Sequence, residues 1–357
     1  MDYLSEKARR LEQYVAGMQP RETGWIKLNT NENPYPPSPE VARSLKNADL
    51  ARLRLYPDYD SVGLREAVAW NFGVEEENVF CGNGSDEVLA LAYQAFFSGK
   101  GNILTPDVSY GFYPVWSRMY DVGEKITPLR DDFTIGADDY KRGNGVVIAN
   151  PNAPTGIALG VPEIEKIARN NPEGVVVADE AYMDFADRAD VESAVSLTAK
   201  YENLLVVRTF SKSHSLAGMR VGFAIGSRTL IDGLRRVKNA FNSYPLDFLA
   251  QTAATAAILD RDYWNETRRQ VIATRGKTAA RLRELGYRTL DSQANFLFME
   301  AKATKSAKEL YEYLFNNKIL VRYWDKPRIS GFLRVSIGTD SEMEAFIKCV
   351  EKQTRPR

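Results

Sequence analysis

Short apolar runs recur through the first two thirds of this chain, and each stops at a polar cluster. Val79-Phe80-Cys81 stops at G-N-G-S-D-E (82–87), and Ile103-Leu104 stops at T-P-D. Gly145–Ala149 stops at N-P-N-A-P-T-G (150–156), Gly174–Ala178 at D-E-A-Y (179–182), and Leu204–Val207 at R-T-F-S-K-S. Runs this short, with no polar alternation, suit strands buried on both faces. Helical patterns lie between them, as in V-L-A-L-A-Y-Q-A-F-F (88–97) and residues 162–170. Strands alternating with helices specify an α/β fold with a mostly parallel sheet. Ligands of such sheets sit outside the carboxyl ends of the strands. The 82–87 turn, Asn152, Asp179 and Lys212 are therefore expected to converge on one site.

The last third reads differently. After Tyr244-Pro245 comes a helical run over roughly 247–285, rich in Arg and Lys, whose charge reads as a solvated face. Strand-like pieces follow at 287–290, 295–299, 319–322 and 332–338, with helices expected at 304–316 and 341–353. This is an α+β unit with its own small sheet. The division expected is an arm at 1–45, a large domain at 46–250 and a small domain at 251–357. Residues 26–37, dense in Asn and Pro, cannot be a regular helix or a central strand and suit either a linker or a loop lining a polar site. Ser61 is placed to cap the helix expected to follow it.

Composition removes several function classes. Lys plus Arg and Asp plus Glu both number 47, so the formal net charge is zero, and a nucleic-acid partner is not expected. No stretch approaches the roughly 20 apolar residues that cross a bilayer. The charged start of the chain has no apolar signal-peptide core, so a cytoplasmic setting is expected. Two isolated cysteines, Cys81 and Cys349, and a single histidine, His214, leave no set for a metal site or a Ser-His-Asp triad. No metal is expected.

The converging clusters hold an amine (Lys212), a carboxylate (Asp179), a phenol (Tyr182), and a Gly-rich turn opening a helix. Such a turn presents free N–H groups at the positive end of the helix dipole, a ready phosphate cradle, to which Ser211 and Arg220 would add donors. Pyridoxal 5′-phosphate asks for this set: a lysine for its aldehyde, a carboxylate for its ring nitrogen, and donors for its phosphate. A buried Asp at a strand end is costly without a cation, and the ring nitrogen would be that cation. Taken singly, Asp179 reads equally well as a helix cap, Arg220 as a surface ion pair, and the aromatics at 110–113 as core packing. It is the set in this order that favours the cofactor.

That order, G-N-G-S-D-E, P-N-A-P-T-G, D-E-A-Y and S-K-x-x-x-L-A-G-x-R, resembles the fold-type I pyridoxal-phosphate-dependent aminotransferases. L-N-T-N-E-N-P-Y-P-P (28–37), L-Y-P-D-Y (55–59) and L-R-V-S-I-G-T (333–339) resemble the histidinol-phosphate aminotransferase family in particular. The resemblance spans nearly the whole chain. It implies a large domain with a mostly parallel seven-stranded sheet beside a smaller α+β domain. It implies that Lys212 forms the Schiff base and carries the proton, that Asp179 pairs with the ring nitrogen, and that Tyr182 binds the cofactor's 3-oxygen. Tyr110 would stack on the ring, while Ser85, Asp86, Ser211 and Arg220 would hold the phosphate. Tyr56 would reach that phosphate from the neighbouring subunit of a homodimer with shared sites. Arg322 and Arg334 would bind the anionic end of the substrates, with Tyr14, Asn33 and the partner's Tyr244 nearby. The small-molecule partners would be an amino donor, histidinol phosphate, and a 2-oxo acid, 2-oxoglutarate. An aromatic aminotransferase, a threonine-phosphate decarboxylase and a cofactor-binding protein without turnover are the rivals.

Two positions depart from the family's pattern. Ala153 stands where an asparagine often meets the cofactor's 3-oxygen, so that Asn152 would have to substitute or Tyr182 act alone. His214 stands where an aromatic is common, and packing or a hydrogen bond is expected of it.

Overall fold

The computed structural model describes residues 3–301 and 306–354. Its helices are α1 (Glu6–Arg10), α2 (Pro39–Lys46), α3 (Val62–Phe72), α4 (Gly84–Ala92), α5 (Tyr113–Met119), α6 (Val161–Asn170), α7 (Arg228–Phe241), α8 (Phe248–Leu259), α9 (Arg261–Glu284), α10 (Ala307–Asn316) and α11 (Asp340–Thr354). Strand β1 (Ile26–Lys27) precedes the strands of the large sheet: β2 (Val79–Gly82), β3 (Asn102–Pro106), β4 (Gly123–Thr127), β5 (Gly145–Ala149), β6 (Val175–Asp179), β7 (Leu204–Thr209) and β8 (Gly222–Gly226). The remainder are β9 (Arg288–Thr289), β10 (Phe296–Glu300), β11 (Ile319–Leu320), β12 (Arg322–Tyr323) and β13 (Phe332–Ser336).

The seven-stranded sheet has the order β2-β8-β7-β6-β5-β3-β4. Only β8 runs antiparallel to its neighbours. The apolar runs supply both faces, because successive side chains of a strand point to opposite sides. Val146, Ile148, Val176, Ala178, Leu204 and Val206 enter one core with α3 and α8. Val147, Ala149, Val177, Leu205 and Val207 enter the other with α4 and α7. An expected mostly parallel sheet of seven strands is thus present, and both its faces are covered.

The small sheet, β12-β13-β10-β9, is antiparallel throughout. Its core joins Leu297, Met299, Leu333 and Val335 to Leu310, Leu314, Phe346 and Val350 of α10 and α11. The N-terminal arm is stitched to this unit by β1, which pairs in parallel with β11.

Three local expectations differ from the structure. The helical run of 247–285 is two helices, α8 and α9, divided at Asp260, whose carboxylate accepts from Tyr263 N–H and from Ser38 Oγ. The domain boundary expected at 250/251 runs through α8, and the buried face of α8, Ala250, Ala253, Ala254, Ala257 and Ile258, packs in the large-sheet core. Ser61 adopts a left-handed backbone and makes no side-chain cap. Asp58 accepts from Val62 N–H in its place. The start expected for a helix at 304 lies outside the described residues.

Candidate active site

The strand ends deliver the site. Strand β6 finishes at Asp179, β7 runs out at Thr209 three residues before Lys212, and the loop after β5 carries Ala153. Strand β2 turns at Gly82 into α4, and the small domain lays β12 and β13 across the opening. Together they line a cavity of ≈ 210 Å³ that includes Tyr14, Ser85, Asp86, Tyr110, Ala153, Asp179, Tyr182, Ser211, Lys212, Arg220, Arg322 and Arg334.

Lys212 Nζ donates to the Thr30 carbonyl at 3.2 Å and lies 5.7 Å from the Tyr182 ring centre. Burial, then the positive Arg334, push its pKa down to about 8. A free amine is therefore accessible near neutral pH. Asp179 is buried, and burial pushes its carboxyl up to about 6 against the hydrogen bonds from Tyr113 Oη (2.8 Å) and the Ala181 N–H (3.3 Å). No Lys or Arg among the described residues forms an ion pair with it. It is a buried acid lacking a cation.

The opposite end of the cavity is built for an anion. Residues 84–86 open α4, so backbone N–H groups face it. Arg220 Nη1 reaches Ser211 Oγ at 3.4 Å and Nη2 reaches Asp86 Oδ2 at 3.1 Å. Asp86 also accepts from Tyr110 Oη at 2.8 Å, which fixes the Tyr110 ring at the cavity wall. This close approach needs glycines. A Cβ on Gly222 would meet Ser85 N at 2.3 Å, and one on Gly84, at φ +78°, would meet the Arg220 guanidinium at 2.5 Å.

At the mouth, Arg322 and Arg334 stand directly opposite each other across β12 and β13. Like charges so placed repel. Both guanidinium groups lie over Trp324, at 5.4 and 5.2 Å, and neither has a carboxylate partner among the described residues. Among the described residues their donors reach only the carbonyls of Val15, Ala16 and Asn29, and Arg334 Nε is buried with no partner there. Such a pair is a preformed anion site.

Other expected site residues lie elsewhere. Asn152 does not line this cavity: its amide donates to the Val108 carbonyl and Thr155 Oγ1, and its oxygen accepts from Ser109. Asn33 donates through its amide to the Lys212 and Ser213 carbonyls and so holds the lysine's backbone in place. Tyr56 and Tyr244 do not line this cavity. They stack on each other, ring centres 4.6 Å apart, and both are exposed. His214 faces a separate cavity with Asp184, Arg208 and Trp264. It packs on Phe210 and Trp264, and burial pushes its pKa down to about 4, so it is a neutral packing residue at physiological pH.

Sequence reasoning missed Tyr113, Asn31 and the buried Arg208. Arg208 pairs with Glu180 and Asp184, and Asp184 also accepts from Ser213, so this cluster braces the lysine turn from behind. A charge inside V-V-R-T was the available signal.

These residues fit pyridoxal phosphate: a buried carboxylate lacking a cation, an amine of lowered pKa, and an anion cradle at the start of α4, all on one cavity. They define the site of a pyridoxal-phosphate-dependent enzyme. The family model "Aminotransferase class I and II" matches residues 23–350, and the chain is 47% identical over 350 residues to a histidinol-phosphate aminotransferase of Brachyspira hyodysenteriae, with 98% of each chain covered. One of Clostridium acetobutylicum is 45% identical over 351 residues, again covering 98% of both. The chain belongs to the histidinol-phosphate aminotransferase family, within the class I and II aminotransferases, and pyridoxal 5′-phosphate is its cofactor. Among solved structures, a histidinol-phosphate aminotransferase of Sinorhizobium meliloti in complex with pyridoxal 5′-phosphate superimposes with TM-score 0.88, 21% identity and coverage of 99% and 98% of the two chains. An aspartate aminotransferase of Thermus thermophilus with maleate gives TM-score 0.83 at 19% identity, over 99% and 100%. At these identities the two share the fold.

Proposed function

We propose that the protein moves the amino group of histidinol phosphate to 2-oxoglutarate, yielding imidazole-acetol phosphate and glutamate. The observation that carries this reading is the pair Arg322 and Arg334, adjacent, unpaired with any carboxylate among the described residues, and facing the same cavity as Lys212. Both substrates carry an anion beside the reacting carbon, histidinol phosphate a phosphate ester one CH2 away and 2-oxoglutarate a carboxylate attached directly, and one guanidinium pair would serve each in turn. Tyr14, stacked on Phe112 at the same wall, adds a phenol beside that anion.

Bound in the cavity, pyridoxal phosphate supplies an aldehyde for the amine and a protonated ring that accepts the electron pair of the breaking bond. In this reading Asp179 keeps the ring nitrogen protonated, and Tyr113 orients the carboxylate. Tyr182 donates to the 3-oxygen. Ser85, Ser211, Arg220 and the N–H groups at the start of α4, that of Asp86 among them, would hold the phosphate end, while the Asp86 carboxylate steadies Arg220 and Tyr110, and Tyr110 would cover the ring. Lys212 Nζ would hold the aldehyde end of the cofactor and, as a free amine, would take the proton from the substrate carbon.

The active unit is proposed to be a cytoplasmic homodimer. Leu50, Leu53, Leu55, Tyr56, Phe241 and Tyr244 are exposed apolar side chains on two neighbouring segments, joined by the Tyr56–Tyr244 stack. Exposed apolar groups in this number mark a contact surface. Across it, Tyr56 and Tyr244 would complete the partner's cavity. Among the described residues no helix is long and apolar enough to cross a membrane.

A panel of amino donors with 2-oxoglutarate as acceptor tests the reading. Histidinol phosphate should give the highest kcat/KM. Ready transamination of phenylalanine with none of histidinol phosphate would replace it by the aromatic aminotransferase reading.

A further inference from the structure

Ala153 brings only a methyl to the cavity wall, and Asn152 beside it does not line the cavity. Another amide reaches Tyr182. Asn31 Nδ2 donates to Tyr182 Oη at 3.1 Å. Every other polar group of Asn31 is also engaged. Its N–H donates to Ser336 Oγ at 2.8 Å, its Oδ1 accepts from the same hydroxyl at 2.9 Å, and its carbonyl accepts from Asn295 Nδ2 at 3.0 Å. Asn31 is 1% exposed and sits at φ +55°, a left-handed backbone that Asn tolerates better than most residues. An amide held at each end in this way cannot turn without breaking buried hydrogen bonds.

The contact has a direction. Tyr182 Oη accepts from Asn31, so the phenol's own hydrogen is left to point into the cavity. We infer that Asn31, from the N-terminal arm, is the positioning residue that aims the Tyr182 hydroxyl at the cofactor, in the place that an amide side chain at 153 would serve. This rests on the proposed role of Tyr182 as donor to the cofactor's 3-oxygen. Burial keeps the Tyr182 phenol protonated above its usual range; Arg334 and the Asn31 hydrogen bond pull the other way, while Asp179 and Asp86 add to the rise. Lys212 Nζ faces its ring. The same scaffold reaches the substrate end. Ser336, which holds Asn31, lies two residues from Arg334 on β13, so the tyrosine and the anion site share one strand of the small domain.

The test is a pH titration of the visible absorption band of the holoenzyme. A donor to the 3-oxygen favours the high-pH form of the cofactor–Lys212 linkage, in which that oxygen's charge has no proton beside it. Weakening the donor raises the midpoint. Asn31→Gly permits the left-handed backbone and removes the amide, and should raise the midpoint by about half to one pH unit. In the Tyr182→Phe background the same substitution should leave the midpoint where Tyr182→Phe alone sets it. Ser336→Ala loosens the amide from its far side and should give a smaller rise, which keeps the question answerable if Asn31→Gly does not fold. An unchanged midpoint in both Asn31→Gly and Ser336→Ala, or an equal rise with and without Tyr182, overturns the inference while leaving the role of Tyr182 intact. A midpoint unmoved by Tyr182→Phe itself overturns the role of Tyr182 first.

Discussion

Lys212 and Asp179 have their pKa values displaced toward neutrality from opposite directions, chiefly by burial in both cases. The shifts have separable consequences. Lys212→Ala should lower transamination by on the order of 10²–10⁴-fold, the range for loss of a general base, while cofactor is still retained weakly through the phosphate cradle. Steady-state rates and equilibrium dialysis against pyridoxal phosphate measure the two effects. For Asp179 the sign runs the other way. Its folded pKa, about 6, lies above the ordinary carboxylate value of 3.8, so the folded state binds the extra proton between these values. Its contribution to stability is present below pH 4 and is lost as pH rises through 6. Asp179→Asn should therefore stabilise the cofactor-free protein above pH 6, on the order of 1–3 kcal/mol, and flatten its pH dependence between 4 and 6. The same substitution should depress activity, since an amide cannot keep the ring nitrogen protonated. Denaturant unfolding of parent and variant across pH 4–8 would read the first effect, and a parent curve flat over that range would contradict it.

Among the elements, the sheet's carboxyl edge and α4 were legible because their residues repeat a simple rule: an apolar run, then a polar stop. Strands with no polar alternation and helices between them imply a mostly parallel sheet, and its shared carboxyl edge places Asp179, Lys212 and the 82–87 turn together. The asparagines were not legible in the same way. Asn31, Asn33 and Asn152 are all buried or half-buried amides in Asn- and Pro-rich loops, and only their hydrogen-bond partners tell which one faces the cavity. Those partners lie up to 305 residues away, as for Asn31 and Ser336, so no local pattern encodes the choice. Gly222 is a similar case. In sequence it weakens a strand; in the structure it is the gap through which β8 meets the start of α4. Gly222→Ala should force the two apart, costing about 1–3 kcal/mol of stability and at least tenfold in cofactor affinity. Thermal unfolding with and without cofactor checks both, and unchanged affinity would remove β8 from the cradle.

At the scale of the whole molecule, the cavity is a meeting of two domains and an arm, and an exposed apolar surface lies at 50–56 and 241–244. If Tyr56 acts across that surface, Lys212→Ala and Tyr56→Ala subunits, each impaired alone, should regain activity on mixing and refolding. One site of the mixed dimer would carry both lesions and the other neither. No gain over the two variants measured separately would place Tyr56 within its own subunit. The substrate claim is tested most directly by the first half-reaction alone. Mixed with histidinol phosphate and no acceptor, the yellow holoenzyme should lose its visible band in a single turnover and recover it on addition of 2-oxoglutarate. A band that histidinol phosphate leaves unchanged, but that phenylalanine bleaches, would contradict the account.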